Sequence, residues 1–224
     1  MEIWGPVDLG NGIHWIGTFD TVNELHCNPY ILIDNDEAVL IDPGSALDFP
    51  QVLENVTNLV PIEKIRYVIL HHQDPDLCSS ITLFEEQGLR AEVVTHWRTS
   101  LLIKYYGIKS EFYIANEHDN ILTLSSGRKL EFIHTPYLHF PGSIVTFDHQ
   151  SCTLFSSDLF GAISGYWELF ADENYMDVMK NFHEHYMPSN EILRPVMEIF
   201  FKMPIKMVCP QHGSIIQNDI KEYI

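Results

Sequence analysis

Short apolar segments alternate with turn-forming residues along the whole chain. Most of them are rich in β-branched and aromatic side chains and are bounded by Gly, Pro, Asn or Asp, which is typical of β-strands. They predict strands at 13–19, 30–33, 38–41, 64–70, 91–95, 112–115, 121–124, 129–133, 143–147, 153–156 and 206–209. Apolar residues three and four positions apart predict helices at 46–59, 78–87, 100–106, 174–186 and 191–202. This mixture of strands and helices indicates an α/β or α+β domain with mixed sheets.

The composition is that of an ordinary globular protein, with 224 residues of which 46% are hydrophobic and 20% charged. The formal net charge is -18, from 13 Lys plus Arg against 31 Asp plus Glu, and it would repel nucleic acids and anionic membranes. No stretch approaches about 18 apolar residues in a row, and the N-terminus lacks the pattern of a signal peptide. We therefore expect a cytoplasmic protein with no nucleic-acid and no membrane partner.

The four cysteines are Cys27, Cys78, Cys152 and Cys209. None of them forms a C-x-x-C pair, which disfavours a zinc ribbon or a thioredoxin-like motif. We expect free, mostly buried thiols in a reducing compartment.

The predicted strand at 64–70 is followed directly by a loop that carries three metal-binding side chains. His72, Asp74 and Asp76 form an H-x-D-x-D pattern in this loop. Ligand sites often lie just beyond strand ends, because a rigid scaffold there presents the loop residues. The pattern therefore indicates a candidate metal site.

Three further candidates lie at the ends of later predicted strands, and these are His139, Asp158 and His212. An isolated Asp or His at such a place is most often a turn former, a helix cap or a surface residue. Polar residues at successive strand ends are a stronger signal together than each is alone. We expect them to converge at one edge of a layered sheet structure.

This series of motifs resembles the metallo-β-lactamase superfamily, whose pattern is H-x-H-x-D-H followed by a His, an Asp and a terminal His. It is more similar to the flavodiiron branch, in which the second His is an acidic residue. The match consists of His72-x-Asp74-x-Asp76, the segment T-P-Y-L-H-F-P at 135–141, the segment F-S-S-D-L-F-G at 155–161, and His212-Gly213. The segments I-H-W-I-G at 13–17 and A-V-L-I-D at 38–42 also look like the opening strands of that family, so the resemblance covers nearly the whole chain.

The resemblance implies a metallo-β-lactamase-like four-layer αββα sandwich, formed by one domain over residues 1–224, with a two-metal site. The residues that match the family's ligands are divided between a first metal (His72, Asp74, His139), a second metal (Asp76, His212) and a bridging carboxylate (Asp158). A carboxylate suits the bridging role because each of its two oxygens can bind one metal.

The chain departs from the family pattern at two positions. Asp74 stands where flavodiiron proteins carry Glu, and Leu77 stands where most of the superfamily has a His ligand. The second metal then either keeps an open position for solvent or substrate, or is weakly held. His71 and Cys78 are the nearest substitute ligands, although neighbouring side chains on an extended chain point to opposite sides.

The ligand set favours iron over the other metals considered. Three Asp and three His offer more carboxylate than the two Asp and five His of the hydrolase pattern, and oxygen-rich mixed sites suit iron or manganese while nitrogen-rich sites suit zinc. We therefore expect two iron ions, with zinc or manganese as alternatives. Flavodiiron proteins carry a flavodoxin domain after this region, whereas this chain ends soon after His212, so no flavin is expected in it.

The resemblance implies a diiron protein that binds O2 or NO and either reduces it or acts as an oxygen sensor or carrier. Electrons or signals would then pass through a separate electron-transfer or signalling protein, and a homodimer is compatible with the resemblance. The alternative is a dinuclear zinc metallohydrolase of an ester, a lactone or a phosphodiester, in which a metal-bound water attacks the substrate. A third interpretation is an interaction protein that kept the fold and one metal, so whether the chain is an enzyme stays open here.

Overall fold

The computed structural model describes residues 5–18, 25–165 and 167–224, which form two mixed β-sheets with helices on their outer faces. The first sheet contains, in spatial order, β1 (Val7–Gly10), β2 (Ile13–Trp15), β3 (Tyr30–Asp34), β4 (Glu37–Ile41), β5 (Ile65–Ile69), β6 (Glu92–Thr95) and β7 (Phe112–Ile114). Strands β1 to β4 pair antiparallel, and β4 to β7 pair parallel.

The second sheet is formed by the later part of the chain. It contains β8 (Ile121–Thr123), β9 (Lys129–His134), β10 (Ile144–Asp148), β11 (Thr153–Ser157) and β12 (Met207–Pro210), and strands that follow each other in this list are neighbours in the sheet. Strands β8 to β11 pair antiparallel, and β12 adds to β11 in parallel.

The helices are α1 (Phe49–Leu59), α2 (Pro75–Cys78), α3 (Ile81–Glu86), α4 (Trp97–Ile103), α5 (Tyr175–Tyr186), α6 (Asn190–Lys202) and α7 (Ile220–Tyr223). Short 3-10 turns lie at Ile62–Lys64, Lys104–Tyr106 and Ala115–Glu117. None of the helices within the described ranges is long and apolar enough to cross a membrane.

Three apolar cores define four layers. The central core lies between the sheets and includes Trp15 of the first sheet and Phe155 of the second. A second core covers the outer face of the first sheet with α1, α3 and α4, and a third covers the outer face of the second sheet with α5, α6 and α7. Burial of these apolar faces is the main favourable contribution to folding.

Most predicted elements are present, and the differences have local causes. Strand β1 was not predicted, although Asn11-Gly12 next to it is a strong hairpin signal. A side chain at Gly12 would meet the backbone oxygen of Ile33 at 2.2 Å, and its φ is +77°, so glycine is required at this turn. The strand predicted at 13–19 ends at Trp15, and residue 19 lies outside the described residues.

Where the sequence predicts one helix at 78–87, the structure has α2, which begins earlier at Pro75, and α3 at 81–86, with two serines between them. Ser79 Oγ donates to the carbonyl of Pro75 at 2.6 Å, and Ser80 Oγ donates to the carbonyl of Pro43 at 3.1 Å. The first bond lies within one turn and the second is a tertiary contact, and side-chain bonds to the backbone compete with the hydrogen bonds of a continuous helix. Because α2 begins at Pro75, the end of the acidic loop after β5, including Asp76, is helical.

A buried ion pair joins the two sheets at the end remote from these loops. The guanidinium of Arg128 donates to both carboxylate oxygens of Asp148, through Nε at 3.0 Å and through Nη2, and both side chains are at most 1% exposed. Its Nη1 donates to the backbone oxygen of Asn11 in the first sheet at 2.9 Å. Removing one partner of such a pair leaves an uncompensated buried charge.

We expect Arg128→Ala to lower the free energy of unfolding by about 3–5 kcal/mol, because Asp148 would stay buried without its cation. Urea denaturation followed by circular dichroism measures this change. The exposed neighbour Lys129 provides the control, and Lys129→Ala should change stability by no more than about 0.5 kcal/mol. Equal stability of the two variants would show that the ion pair is unimportant.

Candidate metal centre

All six residues predicted as metal ligands lie at one edge of the sandwich, where the loops after β5, β9, β11 and β12 meet. His72, Asp74 and Asp76 come from the loop after β5 and the first turn of α2. The others come from the β9–β10 loop (His139), from the end of β11 (Asp158) and from the loop after β12 (His212). This geometry arises because β5, β9, β11 and β12 all end at the same edge.

A first cluster contains two histidines and two carboxylates. His139 Nε2 lies 2.8 Å from Asp158 Oδ2 and 3.3 Å from Asp74 Oδ2. His72 Nε2 lies 3.5 Å from each of the same two oxygens. The imidazole and carboxylate atoms of this cluster therefore face a common point.

A second cluster lies on the other side of Asp158. His212 Nε2 is 3.0 Å from Asp76 Oδ2 and 3.7 Å from Asp158 Oδ1. Ligand atoms of Cys27, Asp76 and His212 all lie within 4.8 Å of one another. Asp158 thus directs Oδ2 towards the first cluster and Oδ1 towards the second, which is the arrangement that a bridging carboxylate needs.

Neighbouring groups orient the buried histidine rings. His212 Nδ1 donates to the backbone oxygen of His26 at 2.9 Å, which directs Nε2 towards Asp76. His72 Nδ1 forms a hydrogen bond with Ser157 Oγ at 2.9 Å. Hydrogen bonds of this kind from the second ring nitrogen fix the orientation of metal-binding histidines.

Two buried polar atoms of the site accept or donate no hydrogen bond within the described part of the chain. They are His72 Nε2 and Asp158 Oδ1, one in each cluster. Leaving such atoms buried and unsatisfied is costly, and a coordinated cation would satisfy both. The donor set of imidazole nitrogens and carboxylate oxygens also fits first-row transition metals, so the residues present fit a pair of metal ions.

The electrostatics of the metal-free site are those of tightly coupled acids and bases. Burial alone would raise the pKa of Asp158, but the surrounding histidines hold it well below its usual range, and His139 and His72 do the same for Asp74. Hydrogen bonds to Asp158 and Asp74 raise the pKa of His139 to about 10. His72 and His212 also have raised pKa values, since their carboxylate neighbours outweigh the effect of burial.

The position that lacks the family histidine is filled by the hydrophobic core. Leu77 is fully buried among the apolar residues that cover the first sheet. The two substitutes considered from sequence are engaged elsewhere. His71 bonds to Asp42 Oδ2 at 2.5 Å and to Thr146 Oγ1 at 2.8 Å, and Cys78 Sγ donates to the backbone oxygen of His72 at 3.1 Å.

Sequence reasoning missed Cys27 as a member of the site. All four cysteines are free thiols, with Cys78 and Cys209 buried and Cys27 and Cys152 partly buried. Cys27 precedes β3 instead of following a strand, so the search at strand ends does not select it. No motif in the sequence marks this residue.

Aromatic residues of α5, also missed, lie against the clusters. The ring of Phe182 is 6.2 Å from that of His212, and the ring of Tyr186 is 6.2 Å from that of His139. Phe182 and Tyr186 stack on each other at 4.5 Å. They form an apolar wall along one side of the candidate centre.

In the metal-free protein, the free energy of unfolding should decrease as pH rises from about 6.5 to about 10. A histidine whose pKa is raised by folding stabilises the native state below its unfolded pKa, and this contribution is lost as pH rises through the folded pKa. For His139 these two values are 6.5 and about 10. Urea unfolding of the metal-free chain at a series of pH values measures the slope.

The variant His139→Gln should flatten this slope, because the group with the raised pKa is then missing. His149 is exposed and bonds to Glu131 away from the site, so His149→Ala should keep the slope of the native chain. Stability that stays constant or increases over this pH range would contradict the prediction.

Comparison with solved structures establishes the fold. The chain is similar to a structure of the peroxy diiron species of chemotaxis sensor ODP, with a TM-score of 0.83 and 24% identity over 98% of this chain and 92% of that chain. It is also similar to a mutant flavo di-iron protein from Thermotoga maritima, with a TM-score of 0.88 and 21% identity over 100% of this chain and 60% of that chain. The predicted metallo-β-lactamase-like αββα sandwich is therefore confirmed.

Comparison with sequences gives the family. An anaerobic nitric oxide reductase flavorubredoxin from Aeromonas hydrophila subsp. hydrophila is 26% identical over 97% of this chain and 48% of its own length. The chain spans about half the length of the curated relatives it matches. The model of the family described as "ODP family beta lactamase" matches residues 25–213. This match covers most of the chain, confirms the resemblance to the flavodiiron branch, and shows that the protein belongs to the ODP family of beta lactamases.

Proposed function

We propose that this chain is a diiron protein that binds O2, with NO as a second small ligand, and that it acts as an oxygen sensor. The observation that carries the proposal is the position of Asp158, whose two carboxylate oxygens face two separate clusters of metal-binding side chains. Family membership supports it, because a relative of similar fold is a chemotaxis sensor studied as a peroxy diiron species. The proposal treats residues 1–224 as one domain.

The proposed ligands of the first iron are His72, Asp74 and His139, those of the second iron are Asp76 and His212, and Asp158 bridges the two. A ferrous pair held by these residues would supply the two electrons that binding of a small diatomic ligand such as O2 requires. The three carboxylates offset most of the charge of two divalent ions. The oxygen-rich donor set favours iron, because nitrogen-rich sites suit zinc. Manganese and zinc remain the alternative metals to test.

The residues of the chain control access to the proposed centre. The side chains of Asp74, Asp76 and His139 are 32%, 25% and 24% exposed, whereas those of His72 and Asp158 are nearly inaccessible. Solvent and small ligands therefore reach the centre from the side of these three residues. Phe182 and Tyr186 limit water on the side of α5, where they lie against His212 and His139.

Protein partners of the chain are also proposed, on the basis of its relatives. A flavorubredoxin relative is named an anaerobic nitric oxide reductase, and this chain spans 48% of its length; for a reductase role, the proposed partner is a separate electron-transfer protein. The likeness to the chemotaxis sensor ODP favours sensing, for which a signalling protein would be the partner. A homodimer is also part of the proposal, and sedimentation of the iron-loaded chain would test it.

The function can be tested by loading the reduced, metal-free chain with Fe²⁺ without air and then measuring O2 consumption. We expect consumption in proportion to the iron pairs bound, together with a new visible absorption band. A chain that binds two irons but consumes no O2 would overturn the proposal. Hydrolysis of esters or lactones by the zinc-loaded chain would then favour the hydrolase alternative.

Two variants should distinguish the two metal positions by their different losses of bound iron. Asp158→Asn keeps the shape of the side chain but cannot bridge, so we expect it to lose paired binding, whereas His212→Ala should lose mainly the second iron. His149→Ala is the control and should bind two irons, because this exposed histidine lies outside both clusters. Metal analysis after gel filtration measures the iron content, and a full pair in Asp158→Asn would contradict the bridging role.

A further inference from the structure

We propose that Cys27 is a ligand of the second metal, and that its thiolate provides the coordination that Leu77 cannot provide. This inference deepens the proposed function and rests on it. It assigns the second metal four protein donors from four separate parts of the chain, namely Cys27, Asp76, Asp158 and His212.

The backbone around Cys27 is fixed to the loop that carries His212. The N–H of Asn28 donates to the carbonyl of Gln211 at 2.7 Å, and Asn28 Nδ2 donates to the carbonyls of Pro210 at 3.1 Å and Gly213 at 2.7 Å. The preceding residue, His26, accepts the bond from His212 Nδ1. Cys27 thus lies between two residues that are each bound to the same loop.

The conformation of the loop at 210–213, which carries His212, is restricted by close packing. Gly213 has a φ of +77°, and a side chain there would meet the hydroxyl of Tyr175 at 2.4 Å and the backbone nitrogen of Ala162 at 2.7 Å. Its carbonyl also accepts a bond from Trp167 Nε1 at 2.8 Å. The position of Cys27 against His212 is therefore built into the packing of the fold.

The thiol points to the second cluster. Cys27 Sγ lies within 4.8 Å of a carboxylate oxygen of Asp76 and of a ring nitrogen of His212. The other thiols do not join this group, because Cys78 bonds to the backbone of His72 and Cys209 is buried in the core between the sheets. Cys152 lies in the turn between β10 and β11, after Asp148.

An independent observation points to a cation at the same place. Asp158 is 3% exposed, and its Oδ1 accepts no hydrogen bond among the described residues while lying 3.7 Å from His212 Nε2. A buried carboxylate oxygen without a donor, next to the imidazole nitrogen that also faces the Cys27 thiol, is the setting in which a bound cation replaces the missing hydrogen bond. Thiolate, imidazole and carboxylate are all common ligands of Zn²⁺, and the same set accepts iron.

The charge of the site is consistent with a thiolate. Asp74, Asp76 and Asp158 carry three negative charges, and a thiolate at Cys27 adds a fourth, which together equal the charge of two divalent cations. When the metal binds, the sulfur–hydrogen bond breaks, the sulfur–metal bond forms, and the proton passes to solvent without any change in oxidation state.

The test uses zinc as the probe, because zinc does not change oxidation state and its bond to sulfur is distinct. The metal-free full chain is loaded with Zn²⁺, the bound zinc is counted, and X-ray absorption at the zinc edge is recorded. We expect two zinc ions and a sulfur neighbour at about 2.3 Å from one of them. The sulfur signal should be lost in Cys27→Ser and kept in Cys152→Ser, the matched variant of another partly buried thiol.

A second measurement needs no variant. Burial raises the pKa of the Cys27 thiol, so alkylation by iodoacetamide is run at alkaline pH. Cys27 of the native chain should react slowly in the metal-free state and be protected after zinc is bound, whereas Cys152 should react equally in both states. Mass spectrometry of peptides quantifies both cysteines in one sample.

The outcomes separate the two proposals. Two bound zinc ions without a sulfur neighbour, or with Cys27 unprotected, would overturn the role of Cys27 and leave the metal pair intact. Fewer than two bound zinc ions in the native chain would overturn both this inference and the proposed dinuclear centre.

Discussion

Asp158 is buried at the end of β11, where an isolated carboxylate would be strongly destabilising, and histidines from three separate loops lie beside its two oxygens. His72 reaches it from the first sheet, while His139 and His212 reach it from the second sheet. All three histidines therefore surround the buried charge only when both sheets are in place. This requirement links the assembly of the whole sandwich to the geometry of the candidate centre.

The support for this arrangement extends one residue further from the centre. The side chain of Asp42, at the end of β4, accepts hydrogen bonds from the backbone N–H and the ring of His71, and the other ring nitrogen of His71 bonds to Thr146 in β10. His71 thus connects the two sheets directly behind His72. A residue first considered as a spare ligand is in fact a structural bridge, and it fixes the backbone from which a candidate ligand projects.

Much of this could be predicted from the sequence, because the candidate ligands follow apolar strands directly and strand ends are readable from hydrophobic pattern. The pattern could not reveal the break between α2 and α3. Ser79 Oγ accepts a hydrogen bond from the N–H of Ala46, and Ser80 Oγ donates to the carbonyl of Pro43, so both bonds exist only once the loop at 43–46 is folded against the two serines. It also could not reveal Cys27, whose approach to His212 depends on pairing between Asn28 and the loop at 210–213. Both are tertiary contacts between segments far apart in sequence.

Helix α5 contacts both clusters of the candidate centre through two aromatic side chains. Phe182 lies against a histidine of one cluster and Tyr186 against a histidine of the other, and the two rings stack on each other. The intervening His183 accepts a hydrogen bond from the backbone N–H of Phe160, two residues after Asp158. Helix α5 thus contacts both halves of the centre through one pair of stacked rings, so a substitution at Phe182 or Tyr186 would alter the surroundings of two candidate ligands at once.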